Sequence, residues 1–72
     1  MAKSLIGNHV RKFRFHHNEM TQQQLADQVG VTRQTIVAIE KGNYSPSLEL
    51  ALRIARVFGA TVEEIFFIEN EQ

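Results

Sequence analysis

The chain has 72 residues, no cysteine, and eight basic against eight acidic side chains, which gives a formal net charge of zero. This length allows one small domain, in which folding buries roughly 60% of the surface, so self-association would add useful stability. The lack of cysteine excludes disulfides and fits a reducing compartment. The N-terminus lacks the apolar segment of a signal peptide, and no apolar run has a length close to the roughly 20 residues of a membrane span. We therefore expect a single cytoplasmic domain over residues 1–72.

The first predicted element is a helix that begins after Asn8 and runs to about His17. The Asn8 side chain can cap this helix by accepting a hydrogen bond from an N–H group of the first turn. Val10, Phe13 and His17 recur at helical spacing and therefore share one face.

Two short helices joined by a tight turn are predicted from Gln22 to Glu40. Ala26 is small where the two helices come closest, and Gly30 is at the turn, where a positive φ is free only for glycine. The remaining apolar positions of this helix-turn-helix recur where two packed helices bury side chains; they are Leu25, Val29, Val31, Ile36 and Ile39.

Local capping signals mark the ends of these two helices. Thr21 and Gln24 have the spacing of a capping box, which predicts the start of helix 2. Thr32 is predicted to cap helix 3. Gly42 is predicted to stop helix 3.

A fourth helix is predicted to open at Ser45-Pro46 or at Ser47, since proline suits the first turn of a helix. Gly59 is predicted to end it. It is the most apolar element and is expected to be central in the core, through Leu48, Ala51, Leu52, Ile54, Ala55 and Phe58.

A short fifth helix should follow, because Thr61 and Glu64 form a second capping box. Val62, Ile65 and Phe66 are predicted to be its buried face.

The end of the chain is more apolar than helix 5 requires. Phe67 and Ile68 are left over, and an exposed apolar pair in so small a protein indicates a partner surface. The alternative is that this segment folds back as a short strand against Ser4-Leu5-Ile6. The two interpretations are compatible, because a two-stranded ribbon could itself form a dimer edge.

These elements together resemble the Cro/CI (Xre-type) repressor family, especially its minimal members with no effector domain. The resemblance covers residues 8–68, although the connection from Arg14 to Thr21 is one residue longer than the usual family pattern. It implies an all-α, compact five-helix, lambda-repressor-like DNA-binding domain. The segments that carry it are Met20-Thr21-Gln22, Leu25-Ala26, the run from Gly30 to Ile36, Ile39-Glu40-Lys41-Gly42, Pro46-Ser47-Leu48, Ala51 and Ile54-Ala55.

Helix 3 of such a motif lies in the DNA major groove. Because Ile36 and Ile39 point toward the core at about 100° per residue, Gln34, Val37 and Ala38 face the groove. Arg33 lies at the edge of this face. Arg33 can bond guanine O6 and N7, and Gln34 can bond adenine N6 and N7. The alternative is that both are solvated surface residues. The resemblance points to Thr32, Arg33, Gln34 and Ala38 as base readers, and the predicted groove surface also contains Thr35 and Val37.

Other residues are placed to contact the DNA backbone. Gln22 is at the start of helix 2, where free N–H groups and the helix dipole favour a phosphate, although it could merely support the cap. Lys41, Asn43 and Tyr44 follow helix 3 and are predicted to reach the neighbouring backbone.

The charge distribution is consistent with DNA binding despite the zero total. Residues 1–41 carry a balance of +3 and residues 42–72 a balance of −3. Affinity for DNA depends on local phosphate neutralisation, so the N-terminal part is expected to face DNA, with weak non-specific binding.

The resemblance also implies a partly buried ion pair between Arg14 and Glu40. His9, His16 and His17 are interpreted as surface histidines, because no carboxylate or thiol completes a tetrahedral metal site. No pattern of catalytic residues or of a cofactor site is present, so we expect a protein that is not an enzyme.

These observations predict a sequence-specific transcriptional regulator, acting most simply as a repressor. It should bind a pseudo-palindromic operator in double-stranded DNA as a homodimer, with recognition helices about 34 Å apart. Phe66, Phe67 and Ile68 are the predicted dimer interface. The alternative is an antitoxin or other protein-interaction module that neutralises a partner through this surface and binds DNA secondarily.

Overall fold

The computed structural model describes residues 5–69, and they form five helices and a two-stranded ribbon. This confirms the predicted helical fold with a terminal ribbon. No helix within these residues is long and apolar enough to cross a membrane. In chain order the elements are β1 (Ile6–Asn8), α1 (Val10–Phe15), α2 (Gln22–Val29), α3 (Arg33–Glu40), α4 (Leu48–Phe58), α5 (Val62–Ile65) and β2 (Phe66–Ile68).

The ribbon joins the beginning and the end of the described chain. β1 and β2 are antiparallel, and Gly7 is opposite Phe67. The predicted strand partner was Ser4-Leu5-Ile6, but the strand runs from Ile6 to Asn8, and Ser4 lies outside the described residues. Phe66 also belongs to β2 and not to helix 5, because the backbone becomes extended at this residue.

Alternation along β2 separates the apolar residues that the sequence grouped together. Successive side chains of a strand point to opposite faces. Phe66 is buried in the core, whereas Phe67 is on the other face, 38% exposed, and Ile68 is 59% exposed. Phe67 and Ile68 therefore do not form one flat patch.

α1 ends two residues earlier than predicted and is capped differently. Its N-cap is His9, which makes no side-chain cap bond, while the Asn8 Oδ1 accepts a hydrogen bond from the Val10 N–H at 3.1 Å. After the helix ends at Phe15, Asn18 and Glu19 have φ of 60° and 52°. Left-handed backbone cannot continue a right-handed helix. The long connection therefore redirects the chain toward α2.

The caps of α2 and α5 are as predicted, because capping depends on residues three apart. Thr21 and Thr61 each complete a capping box, with Gln24 and Glu64 respectively. Gly30 ends α2 with φ of 80°, a conformation that would strain any residue with a Cβ.

α3 ends slightly earlier than predicted, and α4 begins at the second of its two predicted starts. Thr32 caps α3, whose last helical residue is Glu40, so the helix stops before Gly42. Ser47 caps α4, and Pro46 lies before the helix and not in its first turn. α4 ends at Gly59 as predicted.

The core is built around α4, but not on the face the sequence indicated. Leu48 is 71% exposed and Leu52 is 53% exposed, whereas Leu50, which was not predicted, is 8% exposed. Glu49, Arg53 and Arg56 mark the outer face of α4, and helical spacing places Leu52 beside them and Leu50 beside the buried Ile54, so the prediction of an inward Leu52 was wrong. The buried apolar residues are Val10, Met20, Leu25, Ala26, Val29, Ile36, Ile39, Leu50, Ala51, Ile54, Ala55, Phe58, Ile65 and Phe66.

Candidate DNA interface

A nearly buried ion pair fixes the orientation of α3 relative to α1. The Arg14 Nε donates to Glu40 Oε2 at 2.6 Å, and Nη2 donates to Oε1 at 3.1 Å. The two side chains are only 14% and 9% exposed. The geometry is bidentate, which is the strongest arrangement for an arginine and a carboxylate. The pair implied by the resemblance is therefore present in the structure.

The same network includes the α1–α2 connection and the start of α2. The remaining nitrogen of the Arg14 guanidinium, Nη1, donates to the Met20 carbonyl at 2.7 Å. The Gln22 Nε2 donates to Glu40 Oε1 at 3.1 Å. Glu40 thus accepts three hydrogen bonds from two helices. Rigid support of this kind is what a recognition element needs, because base readout depends on geometry.

A second tie joins the ribbon to the end of α3. The Asn8 Nδ2 donates to the carbonyl of Ile39 at 2.8 Å. Asn8 was predicted only as a helix cap, and no local signal in the sequence indicates a contact 31 residues away. The same absence of a local signal applies to the bond between Gln22 and Glu40.

The predicted base-reading residues lie on the outer side of α3. Ile36 and Ile39 are buried, and Thr32, Arg33 and Gln34 are exposed. Val37 and Ala38, farther along the same helix, are half-buried and therefore present small apolar surfaces. A helix of this length fits the major groove, which is about 12 Å wide.

Thr35 differs from these neighbours. Its Oγ1 lies 3.3 Å from that of Thr32, and its N–H bonds to the same Thr32 oxygen at 3.4 Å. It faces a small recess of about 260 Å³, which Tyr44 also lines. Thr35 therefore lies at the edge of the predicted base-reading surface.

The residues after α3 continue this surface. Lys41, Asn43 and Tyr44 are exposed, and the Asn43 N–H bonds to the carbonyl of Ala38 at 3.0 Å, which secures the turn. Within residues 5–69, neither Arg33 nor Lys41 forms an ion pair. Both charges thus remain available to an anionic partner.

An open cleft of about 650 Å³ lies between α1, the start of α2 and α3. The ion pair lies at its base. Gln22, Gln23 and Arg33 line it from the helix-turn-helix. Arg11, Phe15 and Glu19 line it from α1 and the connection, and none of these three was predicted to contribute to the site. Their only sequence signal is that Arg11 and Phe15 are four residues apart on one helix.

The predicted dimer residues are only partly available at the surface. Phe66 is 8% exposed and belongs to the core of a single chain, so its inclusion in a dimer interface was wrong. The Phe67 ring lies over Gly7, where a Cβ would collide with its Cε1, and it packs on His9 with a centroid distance of 4.8 Å. Phe67 and Ile68 are the two predicted interface residues that keep exposed surface.

The three histidines are not gathered into one cluster. His9 packs against Phe67, and His17 packs edge-on against Phe58 at 5.5 Å. His17 was predicted to lie within helix 1 but is in the connection after it. No group of three or more metal-ligating side chains occurs in the part of the chain that the structure describes.

Two short helices are joined by a glycine turn, and the exposed second helix carries Arg33, which forms no ion pair within residues 5–69. These features define a helix-turn-helix DNA-binding domain. The family model described as Helix-turn-helix matches residues 10–65. The chain belongs to this Cro/CI (Xre-type) helix-turn-helix family, which confirms the resemblance. The family consists of DNA-binding proteins and not, in general, of enzymes.

Relatives with similar sequences include archaeal regulators and a cryptic phage repressor. An uncharacterised helix-turn-helix transcriptional regulator of Methanocaldococcus jannaschii is 51% identical over 65 residues, covering 90% of this chain and 97% of that protein. Another, from Archaeoglobus fulgidus, is 54% identical over 63 residues, with coverages of 88% and 87%. The cryptic phage transcriptional repressor RstR of Vibrio cholerae is 30% identical over 61 residues, covering 85% of this chain and 54% of the repressor.

Solved structures share the fold at low sequence identity. The crystal structure of a candidate DNA-binding protein from Bacteroides fragilis has a TM-score of 0.74 at 19% identity, covering 86% of this chain and 98% of that one. A transcriptional regulator from Listeria innocua has a TM-score of 0.69 at 16% identity, with coverages of 92% and 65%.

Proposed function

We propose that this chain is a sequence-specific transcriptional regulator that binds double-stranded DNA through α3. The observation that carries the proposal is the outer surface of α3. Arg33 and Gln34 are exposed there, while the buried pair between Arg14 and Glu40 holds the helix from behind. An arginine and a glutamine on one rigid helix can distinguish guanine and adenine by bidentate hydrogen bonds. Relatives described as transcriptional regulators support the same function.

The DNA contacts divide into base readers and backbone contacts. The base-reading set is Thr32, Arg33, Gln34, Val37 and Ala38, with Thr35 at its edge. Backbone contacts then come from the residues at the two ends of the motif, where cations and free N–H groups suit phosphates; these are Gln22, Lys41, Asn43 and Tyr44.

The test of this function begins with selection of bound sequences from a random DNA pool. Arg33→Ala and Gln34→Ala should each weaken binding to the selected operator by about 1–3 kcal/mol and leave affinity for random DNA nearly unchanged. Lys41→Ala is the matched comparison, because loss of a phosphate contact weakens both kinds of DNA equally. Equal loss on both kinds of DNA in the Arg33 and Gln34 variants would contradict base reading by these residues.

The regulator acts as a homodimer on a pseudo-palindromic operator in this proposal. A single helix-turn-helix makes few contacts, and two linked half-site contacts recover affinity through effective concentration. The exposed parts of Phe67 and Ile68 are the apolar surface assigned to this link.

The dimer is tested with Phe67→Asp/Ile68→Asp and with Leu52→Asp as a matched control. Leu52 is also apolar and 53% exposed, but it lies on α4. The double variant should sediment as a monomer, lose operator binding and keep its helical circular dichroism, while the control remains dimeric. A folded double variant that stays dimeric would show that the interface lies elsewhere on the protein. A wild-type monomer at tens of micromolar that binds one half-site tightly would exclude the dimer.

Repression by occluding a promoter is the proposed outcome of binding, because it requires only occupancy of the operator. The name of the Vibrio cholerae phage repressor supports this direction of regulation. A reporter promoter that contains the selected operator should lose expression when the chain is co-expressed. Increased expression would show activation instead.

A further inference from the structure

We propose that Arg11 and Phe15 form a second DNA-contact surface beside the helix-turn-helix, the α1 surface. In this proposal Arg11 contacts a backbone phosphate, and Phe15 packs against the adjacent deoxyribose. This inference rests on the proposed DNA binding through α3. It adds a contact from α1 that the base readers and the residues at the ends of the motif do not make.

The shared cleft carries the argument. Arg11 and Phe15 line the same cleft of about 650 Å³ as Gln22 and Arg33. A DNA strand that passes Gln22 and Arg33 must therefore also pass the two residues on α1. Because Arg11 and Phe15 are four residues apart on a helix, their side chains are neighbours on one face.

The charge of the cleft favours a phosphate as its occupant. Within the described residues, the Arg11 and Arg33 guanidinium groups have no ion-pair partner, whereas Glu40 is neutralised by Arg14. Glu19 contributes one opposing carboxylate. Two free cations against one free acid leave the cleft positive, and phosphates gain affinity from such local neutralisation.

Free backbone donors lie in the same place. The capping box uses the Gln24 N–H at 3.0 Å, and the Leu25 N–H bonds to the Thr21 carbonyl at 3.1 Å. The N–H groups of Gln22 and Gln23 bond to no acceptor among the described residues. They point out of the first turn of α2, where an anion is favoured by the helix dipole.

The exposure of Phe15 is explained by the same contact. Phe15 is the last residue of α1 and is 64% exposed, which is unusual for a ring that could have been buried. Its nearest ring is His16, at a centroid distance of 6.5 Å. The ring lines the same positive cleft as Arg11, where the apolar surface of a deoxyribose would cover it.

Arg11→Gln and Arg56→Gln are the matched pair of variants for the test. Both replace an exposed arginine that has no ion-pair partner among the described residues, but Arg56 lies on α4, away from the cleft. On the operator selected by the wild-type chain, Arg11→Gln should flatten the dependence of log affinity on log salt by about 0.9 for each monomer, as loss of one phosphate contact requires. Arg56→Gln should leave it unchanged.

Two further variants separate the parts of the proposal. Phe15→Ala should lower operator affinity about fivefold with no change in salt dependence, because an apolar contact with a sugar releases no counterion. Glu19→Gln should raise operator affinity, because it removes the one opposing charge of the cleft. Glutamine is close to glutamate in size and shape, so the substitution changes the charge and little else. In phosphate ethylation interference on the operator, Arg11→Gln should abolish the interference at one phosphate in each half-site.

The outcomes distinguish the two proposals. If the wild-type chain selects no sequence, the proposed function fails and this inference fails with it. If the wild-type chain binds an operator, and Arg11→Gln matches Arg56→Gln in affinity and salt dependence, then the proposed α1 surface does not contact DNA, while DNA recognition by α3 stands. An acidic protein segment as the occupant would give that second result.

Discussion

Replacing Glu40 by glutamine should destabilise the fold strongly, since it strands the Arg14 charge beneath the recognition helix. Glu40 accepts two bonds from Arg14 and one from Gln22, and its side chain is 9% exposed. Glutamine has nearly the same shape, but it is neutral and turns one of the two acceptors into a donor. The variant therefore changes charge and hydrogen bonding without opening a cavity.

The magnitude follows from how completely the pair is buried. Removal of one partner from a buried ion pair costs about 3–5 kcal/mol. Arg14 is still 14% exposed and keeps its bond to the Met20 carbonyl, so the lower end of about 3 kcal/mol applies. For a domain of this size the thermal midpoint should fall by about 12–24 °C. The whole domain has a stability of only about 4–11 kcal/mol, so this is a large share of it.

The assay is urea unfolding followed by circular dichroism, at equal protein concentration for each variant. Glu63→Gln is the control, because Glu63 is an exposed acid that makes no ion pair within the described residues, and it should change stability by about 0.5 kcal/mol or less. Arg14→Met/Glu40→Leu should recover most of the loss, since apolar residues of similar volume often replace a buried pair without cost. Equal unfolding midpoints for Glu40→Gln and Glu63→Gln would refute the reasoning.

Four further substitutions test the fold by the same unfolding measurement. Gly7→Ala should cost about 1–3 kcal/mol, because the new Cβ would collide with the Phe67 ring; a neutral result would show that the ring moves aside freely. Thr21→Ala should cost about 1 kcal/mol through loss of the α2 capping box, and an unchanged midpoint would mean that the cap contributes nothing. Leu50→Ala should cost about 2–4 kcal/mol and Leu52→Ala under about 0.5; the reverse order would restore the face of α4 that the sequence indicated.

The Arg14–Glu40 pair connects stability with the proposed function. It lies at the base of the cleft that Arg11, Arg33 and Gln22 line, and it fixes the two helices on which the DNA contacts depend. A buried pair adds little stability compared with apolar residues, so its value here is geometric. The repacked variant Arg14→Met/Glu40→Leu should therefore fold well yet bind the operator less tightly than the wild-type chain.

The sequence by itself determined the features that depend on neighbours a few residues apart. The capping boxes of Thr21 and Thr61 and the turn at Gly30 are local devices, and the structure has all three where they were predicted. The core positions of the helix-turn-helix followed from helical spacing for the same reason. The ion pair was implied only by the resemblance to a family.

Tertiary structure alone decided which surfaces of these elements are buried and which distant groups meet. The charged stripe of Glu49, Arg53 and Arg56 marks the outer face of α4, but packing against the other helices decided that Leu48, at the edge of the apolar face, stays exposed. The bonds of Asn8 to Ile39 and of Gln22 to Glu40 join residues 31 and 18 positions apart. The burial of Phe66 was predicted for a helix, but antiparallel pairing with β1 buries it from a strand instead. Such contacts depend on chain closure over long separations, for which local sequence carries no signal.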